Sequence, residues 1–163
     1  MKDDLRYAPS DCFETFPFSL GFEIDPALEA AGQAYHDHRA ALMVARNEGM
    51  TKIYNRFHEA NERSEDIERL RGLHVEMDCA VLRAYGWDDL AARAHPEFLA
   101  EKTEDNHTYQ DRLFWPSDFR DEVLARLLKL NAERHAEEVR LGLARPDAPR
   151  VPDEKAEEEL DDA

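Results

Sequence analysis

Apolar residues recur at alternating spacings of three and four along three stretches of the chain, which is typical of amphipathic helices. In the first stretch Asp25 is a favourable N-cap, Pro26 suits the first helical position and Gly49 is a natural C-cap. In the second stretch Ser64 is a plausible N-cap and Gly86 ends the helix. The pattern therefore predicts three long helices, over residues 25–49, 64–86 and 117–142.

Shorter elements are expected between these helices. Residues 50–63 carry several large apolar residues and predict a short helix followed by a turn. Residues 87–94 predict one or two further helical turns. Residues 95–115 contain a His-Pro pair and a polar run, and no alternation of apolar and polar positions extends far enough to require a strand. We therefore expect a long loop there.

The predicted fold class is all-α, with three long amphipathic helices and short accessory helices. Residues 1–24 are predicted to form an irregular strap or linker, because Pro9 and Pro17 exclude a continuous helix. Residues 25–145 are predicted to be the helical domain. Residues 146–163 hold eight acidic and two basic residues with three prolines, and this composition predicts a disordered acidic tail.

The charge and cysteine content narrow the classes of function. The chain has 163 residues and a formal net charge of −16, so it repels DNA phosphates and is not expected to bind DNA without sequence preference. Cys12 and Cys79 lack the close spacing of a zinc knuckle and suit a reducing compartment. No apolar run is long enough to span a membrane, so we expect a cytoplasmic protein without membrane contact.

Several long strings of residues resemble one family of enzymes. They are Leu5-Arg6-Tyr7, Ser10 to Phe18, Gly49 to His58, Asp66-Ile67, Leu70-Arg71, Leu73 to Asp78, Ala80 to Trp87 and Val123 to Asn131. Together they resemble the C-terminal region that follows target recognition in large DNA adenine methyltransferases. These are the fused enzymes of type IIG and type IIL restriction–modification and related phage-defence systems. The resemblance covers most of residues 4–143.

The resemblance implies a helical module from which the catalytic part is missing. The family's methyltransferase domain carries a glycine-rich loop for S-adenosylmethionine and an Asn-Pro-Pro-Tyr-type loop for the flipped adenine. This chain has no Asn-Pro pair and no Gly-x-Gly. The resemblance therefore implies that the isolated chain is not catalytic and that S-adenosylmethionine binds only to the missing domain. Its expected partners are the methyltransferase catalytic and recognition domains, in cis or in trans, with DNA contacted only indirectly.

Two groups of residues form the candidate interaction surface. Phe13, Phe16 and Phe18 are large apolar side chains concentrated near the start of the chain, where the strap would lead from a recognition domain. The second group is Tyr54, Arg56 and Phe57, in the most basic part of the chain. Arg56 offers a guanidinium to a phosphate, but the neighbouring carboxylates favour intramolecular salt bridges instead.

The remaining candidate chemistry points to structure rather than catalysis. His38 lies on an apolar stripe and is expected to be a satisfied boundary histidine. His74 and Asp78 are four residues apart on one helical face and are expected to pair. We expect the apolar stripes to be consumed by helix packing, leaving no pocket equipped to transform a substrate.

The leading functional hypothesis is a non-catalytic scaffold that braces target recognition. The alternative is an autonomous acidic regulator, such as a DNA mimic, that binds a DNA-processing protein. A small enzyme with an unrecognised site is a third hypothesis.

Overall fold

The structure is a computed structural model that describes residue 13, residues 16–102 and residues 108–144, with the backbone alone at 101–102 and 108–111. Five α-helices and one two-stranded sheet occupy this described part, so the all-α prediction is confirmed. The elements are α1 (Pro26–Arg46), α2 (Met50–Phe57), α3 (Glu65–Ala84), α4 (Asp88–Ala91), β1 (Glu97–Lys102), β2 (Thr108–Phe114) and α5 (Ser117–Arg140). The predicted acidic tail lies outside the described residues, and the division into domains stays a prediction.

Hydrogen bonds and backbone conformation at a few residues set the two ends of α1. The carboxylate of Asp25 accepts hydrogen bonds from the backbone N–H groups of Ala27 and Leu28, which confirms the predicted N-cap. The predicted end of α1 at Gly49 is wrong. Asn47 ends α1 in the left-handed conformation, with φ of 50°, a conformation that asparagine tolerates better than most residues. Gly49 instead precedes α2 as its N-cap.

Helices α1 and α3 pack antiparallel and form the main helix pair. The rings of Tyr35 and His74 lie 5.7 Å apart between centroids, and Arg46 at the end of α1 meets Asp66 at the start of α3. A ring nitrogen of His38 donates to the backbone carbonyl of Asp66 at 2.8 Å. This bond confirms the prediction of a satisfied boundary histidine.

A β-hairpin replaces the loop expected over residues 95–115. Strands β1 and β2 pair antiparallel, with Phe98 opposite Leu113, and the register shifts between Leu99 and Glu101. This irregularity interrupts the alternation of side chains between the two faces, so the strands carry no clean period of two. The loop prediction was wrong for that reason.

The apolar core consists of two clusters joined by α3. The first contains Leu42, Ile53, Phe57, Ile67 and Leu70. The second contains Leu82, Leu90, Ala91, Ala94 and Phe119. Because α3 contributes residues to both clusters, it is the central element of the fold. Helix α5 contributes less, since Phe119 is its only fully buried residue.

One buried cation, Arg71, connects α3 to the elements around it. The residue is 6% exposed. The guanidinium donates to the backbone carbonyls of Arg56, Phe57, Glu59 and Glu62 at 2.8–3.1 Å, and to the carboxylate of Glu68 at 2.9 Å. These carbonyls belong to the last residues of α2 and the turn after it, where the regular helical hydrogen bonds end. Those of Arg56 and Glu59 also accept from backbone N–H groups of the turn, at 3.1 Å each. Arg71 therefore fixes how α2 and this turn sit on α3.

Replacing Arg71 by lysine is expected to destabilise the fold by about 2–4 kcal/mol, because one ammonium cannot reach four carbonyls and a carboxylate. Urea denaturation followed by circular dichroism measures this as a lower midpoint with an unchanged slope. Arg69→Lys is the matched control, since Arg69 lies two residues away with its side chain 55% exposed. Equal midpoints for the two variants would contradict the assigned role of Arg71.

Candidate functional site

A half-open cleft of about 460 Å³ lies between α1, α2, α3 and the segment that links the hairpin to α5. Most of its lining is apolar. Ile53 and Leu70 of the first core cluster line it, as does Trp115, which packs against the second cluster. The helix stripes expected to be consumed by packing therefore leave a cavity. The expectation that no pocket is equipped to transform a substrate stays a prediction.

Aromatic rings form much of the cleft wall, and His58 lies among them. Its ring centroid is 4.5 Å from that of Tyr54, 5.0 Å from that of Phe57 and 5.8 Å from that of Phe114. Its Nδ1 atom is buried and has no hydrogen-bond partner in the described part of the chain. Burial lowers the pKa of His58 to about 4, helped by the nearby charge of Arg112. The imidazole is therefore neutral at physiological pH.

His74 and Asp78 add a second polar group to the cleft. Their side chains approach to 3.3 Å between Nδ1 and a carboxylate oxygen, one helical turn apart on α3, which confirms the predicted pairing. The ring of His74 also packs against Phe57, at 5.3 Å between centroids. This pair fixes the orientation of His74 at the cleft wall.

Arg56 is held by carboxylates and does not line the cleft. It donates to both oxygens of Glu48 at 2.7 and 2.8 Å and to Glu62 at 2.8 Å, so the salt bridges favoured by the sequence are present. Hydrogen bonds from Ser64 and Arg56 lower the pKa of Glu62 to about 2. Arg46 and Asp66 form a similar two-oxygen pair nearby, which lowers the pKa of the Asp66 carboxyl.

The aromatic residues of the strap form a separate exposed patch. The rings of Phe13 and Phe16 pack against Phe18 at 5.1 and 4.8 Å between centroids, and Phe18 stacks on Phe22 at 4.7 Å. Phe13 is 67% exposed and Phe16 is 43% exposed. We call these four residues the phenylalanine patch.

The six candidate surface residues thus occupy three different environments. Tyr54 and Phe57 line the cleft, Arg56 belongs to the salt-bridge network, and none of the strap phenylalanines lines the cleft. Leu113, Phe114 and Trp115 close one side of the cleft, at and just after the end of the hairpin, and were not among the candidate surface residues. Three adjacent bulky residues at the end of the predicted loop indicate a return to the core, but not a place in a cleft.

The arrangement suits binding of an apolar body more readily than nucleophilic chemistry. Its titratable lining groups are Tyr35, Arg39, Tyr54, His58, His74, Asp78 and Arg120. Within the described residues, no three His, Cys, Asp or Glu side chains are arranged to hold a metal ion. In the same part of the chain, no helix is long and apolar enough to cross a bilayer.

Comparisons of the chain with protein-family models, curated proteins and solved structures find no match.

The free energy of unfolding is expected to fall as the pH drops from about 6.5 to about 4. The ordinary pKa of histidine is 6.5, and the folded chain lowers that of His58 to about 4. Between these values the unfolded chain binds a proton that the folded chain resists, so acidification favours unfolding. Urea midpoints measured across this range report the slope.

A His58→Leu variant is expected to lose this part of the slope, whereas His36→Gln, with its side chain 63% exposed, keeps it. The carboxyl groups in salt bridges affect the free energy of unfolding at lower pH. Because the pKa of Glu62 falls from 4.5 to about 2, its contribution disappears as the pH passes down between those values. An unchanged slope between pH 4.5 and 6.5 in His58→Leu would contradict the assignment.

Proposed function

We propose that this chain is a non-catalytic helical interaction module that braces the target-recognition region of a restriction–modification-type DNA adenine methyltransferase. It acts with the catalytic and recognition domains in cis or in trans, and its contact with DNA is indirect. S-adenosylmethionine belongs to the catalytic domain. The resemblance of its long strings of residues to that family suggests the partner, and the phenylalanine patch supplies the contact.

The phenylalanine patch is the observation that carries the proposal. Its rings are ordered against one another while Phe13 and Phe16 remain largely exposed, and the exposure continues at Leu20 and Ile24, which are 90% and 86% exposed. Contiguous apolar surface of this kind marks protein–protein contact sites. Large aromatic side chains are also the residues that most often dominate such contacts.

The base of the patch is fixed to the helical body, which suits a docking surface. Pro17 and Ser19 are buried between the exposed rings. The backbone of Ser19 hydrogen-bonds to Tyr85 at the end of α3, and Tyr85 stacks on Trp87 at 4.6 Å between ring centroids. A partner that covers the patch would therefore be held in a defined position relative to α3.

The alternative, an acidic DNA mimic, has less support from the charge distribution. A mimic needs free carboxylates in rows spaced like duplex phosphates. In the described part of the chain, Glu48, Glu62 and Asp66 are bonded to arginines, as are Asp89 of α4 and Glu122 of α5. Carboxylates neutralised in this way present little of the field that a DNA-binding protein would recognise.

The proposal predicts that the chain restores a truncated enzyme. The experiment uses a type IIG adenine methyltransferase from the same genome, truncated to remove the matching C-terminal region. This truncated enzyme is mixed with the purified chain. Size-exclusion chromatography measures complex formation, and transfer of a labelled methyl group from S-adenosylmethionine to DNA measures activity. We expect a complex and recovered methylation, with no methylation by the chain alone.

Substitutions in the phenylalanine patch distinguish a specific contact from nonspecific hydrophobic association. Phe13→Ser/Phe16→Ser/Phe22→Ser is expected to weaken the complex at least about tenfold. Val44→Ser/Val81→Ser is the matched control, because these apolar side chains are 82% and 42% exposed elsewhere on the helices. Methylation by the isolated chain, or a complex that tolerates loss of the patch, would contradict the proposal.

A further inference from the structure

We infer that the cleft beside His58 binds a small organic anion with a flat apolar body, such as an aromatic carboxylate or sulfonate. Nothing in the scaffold role requires such a ligand, so this inference stands independently of the proposed function. Its volume of about 460 Å³ falls within the range of ordinary small-molecule sites, and its half-open form gives a ligand access.

The apolar part of the ligand is specified by the cleft wall. Tyr35, Tyr54, Phe57, Phe114 and Trp115 all line it. The ring planes of Tyr54 and Phe57 stand at 68° and 76° to that of His58, so the wall presents aromatic faces and edges together. Such a surface suits a planar ring, which can stack on one wall while meeting the edge of another.

The anionic part of the ligand is specified by the charge at the cleft. Two guanidinium groups, Arg39 and Arg120, line it against a single carboxylate, Asp78, and that carboxylate faces His74. Arg39 lies 5.3 Å from the ring centroid of Tyr35, and it enters no ion pair with another described residue. In a chain of net charge −16, a guanidinium without an ion pair among the described residues, at the wall of an apolar cleft, is a local exception. A guanidinium next to an aromatic wall recognises a carboxylate or sulfonate directly.

His58 does not change this balance at neutral pH. It is surrounded by the rings of α2 and the hairpin, and burial and the charges of Arg112 and Arg71 disfavour its protonation. Its imidazole acts as part of the apolar wall. Recognition of the anion therefore falls to Arg39 on α1, which we assign as the specificity-determining residue.

Two fluorescent probes of similar shape and different charge test this inference. 8-Anilinonaphthalene-1-sulfonate is anionic, and N-phenyl-1-naphthylamine is its neutral counterpart. Titration of the full chain is expected to show one site for each probe, with blue-shifted emission. Arg39→Gln is expected to weaken binding of the sulfonate about tenfold and to leave the neutral probe within about twofold.

Substitutions at exposed positions test where the probes bind without destabilising the fold. Tyr54→Ala, at a side chain 52% exposed, is expected to weaken both probes about tenfold. Phe16→Ala, 43% exposed in the phenylalanine patch, and Arg63→Gln, 70% exposed, are expected to change neither. Circular dichroism confirms that each variant is folded. The inference would be overturned if neither probe binds or if Phe16→Ala loses binding. It would also be overturned if Arg39→Gln weakens both probes equally.

Discussion

The buried guanidinium of Arg71 is the interaction on which the described structure depends. A charge that is 6% exposed is tolerated only when its donors are satisfied, and here four backbone carbonyls and the carboxylate of Glu68 satisfy them. The same group lies 5.0 Å from the ring centroid of Phe98, so it also contacts the hairpin. One side chain thus joins α2, the turn after it, α3 and β1.

This constraint explains why a cleft exists among the helices. Arg71 holds the end of α2 against α3, which places Phe57 and His58 between the helix pair and the hairpin. The hairpin then covers one side with Phe114 and leaves the other open. Salt bridges from Arg46 and Arg56 reinforce the turn, but these side chains are more exposed and their contributions are screened by solvent.

Much of the helical architecture was predictable because its signals are local. The cap at Asp25, the stop at Gly86 and the pairing of His74 with Asp78 each follow from residues within a few positions of one another. The hairpin and the cleft depend instead on contacts between distant residues. The bulge near Leu99 concealed the strand pattern, and nothing near Arg71 indicates that its carbonyl partners lie 9–15 residues earlier.

Hydrogen exchange of the Arg71 side chain measured by NMR tests the central claim most directly. If the guanidinium is the buried connector described, its Nε–H exchanges slowly and becomes exposed only with global unfolding. Arg63, whose side chain is 70% exposed, provides the reference for free exchange in the same sample. An Arg71 Nε–H that exchanges as fast as that of Arg63 would contradict the account.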